Sequence, residues 1–184
     1  IGGVSSFLKE KNKDIKIFLA DPDGSSLFDH IENGELKSSG SSITEGIGSS
    51  RVTANFAKAK ILFKIASSFR KNGSFSRARS YYTQALSFNP SMGRAYLAIA
   101  KMYSDSAKNC GADNFSQRAV YWLASKEAMK ASRVDGTLKK AAIKSSNNYE
   151  AKAPQKSEIF SSGREGEIIK ISCWINKSVK VPSL

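Results

Sequence analysis

The sequence predicts a mainly α protein built from helical hairpins, with a carboxy-terminal β-hairpin and a small α/β fragment at the amino terminus. Three observations carry this. Apolar residues recur at helical spacing through most of residues 57–154. Glycine and proline stand between those runs, at Gly73 and Pro90. Past Pro154 the period shortens to that of strands, in Ile168–Ile175 and Val179–Val181. Three units are expected: 1–56, 57–154 and 155–184.

The first unit differs from the rest in charge. Residues 1–56 hold six basic and eight acidic side chains, a net −2. The remainder then carries +15 of a chain total of +13. Such a step at one point indicates two units of different origin. Within the first unit, Val4–Asn12 reads as the end of a short helix and Ile15–Ala20 as a buried strand. Asp21-Pro22-Asp23-Gly24 reads as a turn, and Ser25–Ile31 as the start of another helix. Lys37–Ser50 is rich in Ser and Gly.

Three segments of this unit resemble cysteine synthase and cystathionine β-synthase, pyridoxal-phosphate enzymes. They are Gly2-Gly3-Val4-Ser5-Ser6-Phe7-Leu8-Lys9-Glu10-Lys11, then Ala20-Asp21-Pro22-Asp23-Gly24-Ser25. The third is Gly40–Gly48 followed by Arg51-Val52-Thr53-Ala54-Asn55. The resemblance implies that Glu45, Gly46, Ile47 and Gly48 border a cofactor pocket. It also implies what is missing. The Schiff-base lysine and the Gly/Thr-rich phosphate loop of that family precede the part matched here, and its ring-nitrogen serine belongs to a later segment. The expectation is a remnant carrying no catalytic residue. Pyridoxal phosphate enters only if another chain supplies the lysine.

In the second unit the first helix carries Ile61, Leu62, Ile65, Ala66 and Phe69, and Gly73 ends it. The next carries Phe75, Ala78, Tyr81, Tyr82, Ala85 and Leu86, and closes at Asn89-Pro90. Leu62, Ile65, Ala66, Phe69, Gly73, Phe75, Ala78, Tyr82, Ala85 and Pro90 resemble the tetratricopeptide repeat. Tyr96, Ile99, Ala100 and Tyr103 fall on the same first-helix positions about 34 residues on. That helix is expected over Gly93–Ala107, followed by an inserted loop over Asp105–Asn114. Further helices are expected over Phe115–Arg133 and Leu138–Ala151, the last started by Asp135 or Thr137. The run from Gly93 to Ile175 resembles the carboxy-terminal module of Bacteroidetes-type tetratricopeptide proteins. Strands at Ile168–Ile175 and Val179–Val181 would join near Asn176-Lys177 and pack Trp174 on the helices.

The resemblance implies a concave groove that binds extended peptides. Its expected lining is Lys60, Phe63, Ser67, Arg70, Lys71, Arg94, Leu97 and Lys101, cations suited to an acidic peptide or a terminal carboxylate. Phe63, Phe69, Tyr81, Tyr82, Tyr96, Tyr103, Trp122 and Trp174 are expected in the core.

The function expected is a non-catalytic protein-interaction scaffold. One alternative is a truncated cysteine synthase-like enzyme. The other is a basic nucleic-acid-binding helical module, which lacks a recognisable fold signature. Cys110 and Cys173 have no metal-ligand spacing with the only histidine, His30. They are left as either one disulfide or two buried thiols. Asn176-Lys177-Ser178 matches a glycosylation pattern. No apolar run reaches the ~20 residues of a membrane span. The chain begins at Ile1 rather than Met, so its start is expected to be missing or removed. The enzyme-like part implies a cytoplasmic setting and the repeat part a periplasmic or envelope one. A fusion or mis-joining is expected near Asn55–Lys58.

Overall fold

A computed structural model describes residues 2–12, 14, 33–34 and 54–184, with side chains from Phe7 onward. The expected strand at Ile15–Ala20, its turn, the helix after it and Glu45–Gly48 lie outside the described residues, as does His30. The described part is mainly helical with a small two-stranded antiparallel sheet.

Helix α1 spans Gly2–Lys11 and touches the later helix Phe75–Phe88. Helix α2 spans Ala54–Lys71. It stops at Gly73, which takes φ 73°. The Ser74 N–H donates to Phe69 O at 2.9 Å and the Gly73 N–H to Arg70 O at 3.1 Å. This closing pattern needs a left-handed residue at its centre, a conformation glycine adopts without strain. Helix α3, Phe75–Phe88, ends one residue before the Asn89-Pro90 pair that cannot extend it.

Helix α4 spans Gly93–Ser106 and passes into a 3₁₀ turn at Ala107–Asn109. The inserted loop expected over Asp105–Asn114 is therefore half helical. Cys110 is 1% exposed there, and its burial draws the segment inward. Gly111 follows because a Cβ at that point would stand 2.5 Å from Gln117 N and 2.7 Å from the Ser116 carbonyl carbon. Helix α5, Asn114–Val134, is capped by Asp113. One carboxylate oxygen accepts from Ser116 N at 2.7 Å, the other from Ser116 Oγ at 3.2 Å. Helix α6 spans Lys139–Glu150. Asp135 precedes it and accepts from Thr137 N at 3.2 Å and Thr137 Oγ1 at 2.6 Å.

The sequence reading missed helix α7, Lys156–Ser162. Its start is visible in retrospect: Glu158 accepts from Gln155 N at 2.8 Å, half of a capping box. Arg118 of α5 fixes the corner before it. Its guanidinium donates to Lys152 O at 2.9 Å and Ala153 O at 2.8 Å, and pairs with Glu158.

Strands β1, Ile168–Ile171, and β2, Lys177–Lys180, pair antiparallel with Ile168 opposite Lys180 and Ile171 opposite Lys177. Ile169, Ile171 and Val179 are buried, while Ile168 and Lys170 face out. The expected first strand thus ends four residues early. Ser172–Asn176 forms the connection, with Asn176 at φ 41° and its N–H donating to Cys173 O at 2.9 Å. The apolar run continues to Ile175 because the middle of this connection turns inward: Cys173 and Trp174 are half-buried and Ile175 is fully buried, while Ser172 and Asn176 stay exposed.

One apolar cluster joins α2–α5, α7 and the hairpin. Alanines 66, 78, 85, 95, 119, 124 and 128 are all 0% exposed, so helix backbones approach closely. Tyr82, Tyr103 and Met102 fill the space left between them. Tyr82 and Tyr103 are core as expected, and Phe63, Phe69, Tyr81, Tyr96, Trp122 and Trp174 are half-buried. Ile61 and Ile65 depart from the helical expectation, at 60% and 36% exposure. They lie on the side of α2 away from Ala59 and Ala66, which are buried. Helices α2 and α3 pack along each other, as do α4 with α5 and α5 with α6; α3 and α4 touch far less. The described helices therefore pack as one close pair, α2 and α3, and a close α4–α5–α6 group that meets it less tightly.

Candidate functional site

The looser junction between α3 and α4 carries a cleft of about 470 Å³. It is lined by Phe63, Ser67, Arg70 and Lys71 of α2 and by Tyr82 of α3. Arg94, Leu97 and Ala98 of α4 complete the lining, together with Leu138. The i, i+4, i+7 and i+8 spacing of the α2 residues puts them on one helical stripe. Six of the eight residues expected to face a groove are thereby brought together. Lys60 is exposed on α2 outside the cleft. Lys101 also lies outside it and is engaged by Asp105 one turn on, at 2.5 Å.

The floor is apolar. The Phe63 and Tyr82 rings meet at 5.3 Å and 59°, with Leu97, Ala98 and Leu138 around them. Ser67, expected in the groove lining, already has its hydroxyl engaged. It donates to Phe63 O at 2.9 Å and shares a hydrogen bond with Tyr82 Oη at 3.1 Å. Ser67 therefore positions the floor rather than presenting a donor to the cleft.

The rim is cationic. Arg70, Lys71 and Arg94 have no ion-pair partner among the described residues, and no acidic side chain lines the cleft. The ion pairs among the described residues lie elsewhere, Lys130 and Lys177 with Glu127, Arg164 with Asp113 and Glu167, Arg118 with Glu158, and many other surface cations are likewise without one. Three uncompensated cations over an apolar floor attract a carboxylate group and give its neighbouring side chain a place to bury. The sequence reading missed Tyr82, Ala98 and Leu138 as cleft residues. Tyr82 was legible as a consensus core position. Leu138 is distant in sequence, and only the packing of α6 against α5 brings it near.

Lys71 is present, but no glycine-rich loop lines the cleft to hold a phosphate. A second, smaller cavity of about 320 Å³ has Gly73, Ser74 and Ser76 beside Phe75, Arg77 and Trp174, and holds no lysine. Among the described residues, no helix is long and apolar enough to cross a membrane.

Comparison with known proteins gives a partial likeness. The chain is 47% identical over 58 residues to cysteine synthase 1 of Emericella nidulans, covering 30% of this chain and 16% of the relative. It is 48% identical over 56 residues to cysteine synthase 1 of Neurospora crassa, covering 29% and 15%. Cysteine synthase 2 of Neurospora crassa is 36% identical over 75 residues, 34% of this chain and 16% of that one. The chain thus spans about a sixth of the length of the curated relatives it matches. No family model matches the chain. No solved structure matches it significantly.

Proposed function

We propose that residues 57–184 are a tetratricopeptide-type, non-catalytic scaffold that binds an acidic peptide segment or a terminal carboxylate in the α2–α4 cleft. The observation that carries this is the convergence of Arg70, Lys71 and Arg94, all unpaired among the described residues, over the Phe63–Tyr82–Leu97 floor. A guanidinium pair matches carboxylate geometry, and the floor accepts one apolar side chain next to it. The test is titration of the full chain into a fluorescein-labelled peptide ending in a leucine flanked by aspartates. Binding is expected to weaken as salt rises. The Arg70→Glu/Arg94→Glu variant is expected to bind at least about tenfold more weakly. Equal binding of a lysine-rich peptide, or no effect of the double charge reversal, overturns the proposal.

The likeness to cysteine synthases favours a second reading for the amino-terminal part. That part derives from a fragment of a pyridoxal-phosphate enzyme, joined to the helical part near Asn55–Lys58. Two of the matched lengths, 58 and 56 residues, are close to the length of the acidic segment 1–56, and the third, 75 residues, exceeds it. An absorbance band in the visible on adding pyridoxal phosphate to the full chain would establish retained cofactor binding. Sequencing reads spanning codons 50–60 test the junction; reads that never cross it refute a natural fusion.

A further inference from the structure

The two halves of the cleft meet across the sparse contact between α3 and α4. What braces that junction is the connection between the strands. Arg79 of α3 donates to Ile175 O at 2.5 Å and to Tyr103 Oη of α4 at 3.4 Å, and lies 5.4 Å from the Trp174 ring centre. Trp174 packs on Phe75 of α3 at 5.5 Å and on Tyr103 of α4 at 5.6 Å. Its indole N–H donates to Ser106 Oγ at 2.9 Å. Residues 174–175 thus touch both helices, and Cys173 immediately before them is bonded to Cys110, just past α4. The bridge holds the brace in place from a distance of 63 residues in sequence.

We infer that the Cys110–Cys173 disulfide is a redox-controlled clasp that sets the α3–α4 junction and, through it, the affinity of the cleft; this rests on the cleft being the binding site. The two cysteines differ in exposure. Cys110 is 1% exposed, while Cys173 is only half-buried. A dithiol reductant therefore attacks Cys173 Sγ. The Sγ–Sγ bond breaks and Cys110 leaves as a thiolate that takes up a proton. The second thiol of the reductant then closes on its own bonded sulfur and expels Cys173 as a thiolate, also protonated. Two electrons pass to the bridge, and the reductant leaves as a disulfide. With the tether gone, Trp174 and Ile175 hold by packing and hydrogen bonds alone, and the junction samples a wider range of angles. An oxidising compartment keeps the clasp closed, and a reducing one opens it.

The test measures the full chain oxidised and after reduction by dithiothreitol, with the acidic leucine peptide as probe. Reduction is expected to weaken binding by about tenfold, within the usual range of coupling between sites. It should speed amide exchange in β1, β2 and the 3₁₀ turn while the far-ultraviolet helical signal holds. The Cys110→Ala/Cys173→Ala variant should match the reduced chain in either condition. Equal affinity before and after reduction overturns the inference if the oxidised chain binds. If neither form binds, the cleft reading has failed. Amide exchange then decides the clasp by itself: faster exchange on reduction supports it, and unchanged exchange overturns it.

Discussion

Replacing both Cys110 and Cys173 by alanine is expected to lower the stability of the helical part by about 4 to 5 kcal/mol. The bridge closes a loop of 63 residues in sequence separation, for which chain entropy gives about 14.5 cal/mol/K, or about 4.3 kcal/mol at 25 °C. Removing the sulfur of Cys110, 1% exposed and inside the core cluster, adds a small cavity cost of up to about 1 kcal/mol. Urea unfolding followed by circular dichroism reads the change. With a slope of about 2 kcal/mol/M, the midpoint falls by roughly 2 M. The slope itself should rise, because an unfolded chain without the cross-link exposes more surface. Wild type unfolded in dithiothreitol should match the double variant apart from the cavity cost. A midpoint shift below about 0.5 M refutes the reasoning. It would mean that the unfolded chain already keeps residues 110 and 173 together, or that the bridge does not form.

Gly111→Ala places a Cβ against the backbone of Ser116 and Gln117. It should cost about 2 kcal/mol by denaturation and speed amide exchange in the first turn of α5. Arg79→Met leaves Ile175 O without its donor; a loss of about 2 kcal/mol and faster exchange in β2 are expected. Acid should loosen both ends of the α5–α7 region. Asp113 lies below its ordinary 3.8 because Ser116 N–H bonds the carboxylate, and Glu158 below 4.5 because Gln155 N–H does. Glu167 is lowered from 4.5 by its hydrogen bonds from Arg164. A depressed carboxyl stabilises the fold above its unfolded value and loses that effect as pH falls through the folded one. Stability should therefore be unaffected by these groups from pH 7 to about pH 5, and decline below about pH 4.5. Asp113→Asn should remove part of that acid dependence in a pH series of urea midpoints.

Much of the helical part was legible because its signals are local. Ala59 and Ala66 on α2 and Ala78 and Ala85 on α3 each stand two turns apart, and Gly73 and Pro90 act on the backbone at their own positions. The stripe Phe63, Ser67, Arg70 and Lys71 follows from helical geometry alone, so most of the cleft rim could be named from α2 and α4. The misses have a common cause. Helix α7 is only seven residues long, too short for a periodic pattern to stand out. Cys173–Ile175 continues an apolar run that reads as strand, yet its contacts are with Arg79, Ser106 and Cys110, residues far away in the chain. Ile61 and Ile65 keep the helical period but lie exposed, since period marks a face without saying what covers it.

Composition and local pattern determined the types of the longer elements from Ala54 on, the uneven charge, and a cationic stripe on one helix face. Those properties depend on residues within one or two turns of each other. Tertiary structure decided three things. Ser67 spends its hydroxyl on Tyr82, and Leu138 joins the cleft. Cys110 meets Cys173, where the sequence left a bridge and two thiols equally open. Each depends on where distant backbone segments come to rest, and that is fixed by how the alanine faces close and which aromatic rings fill the space between them.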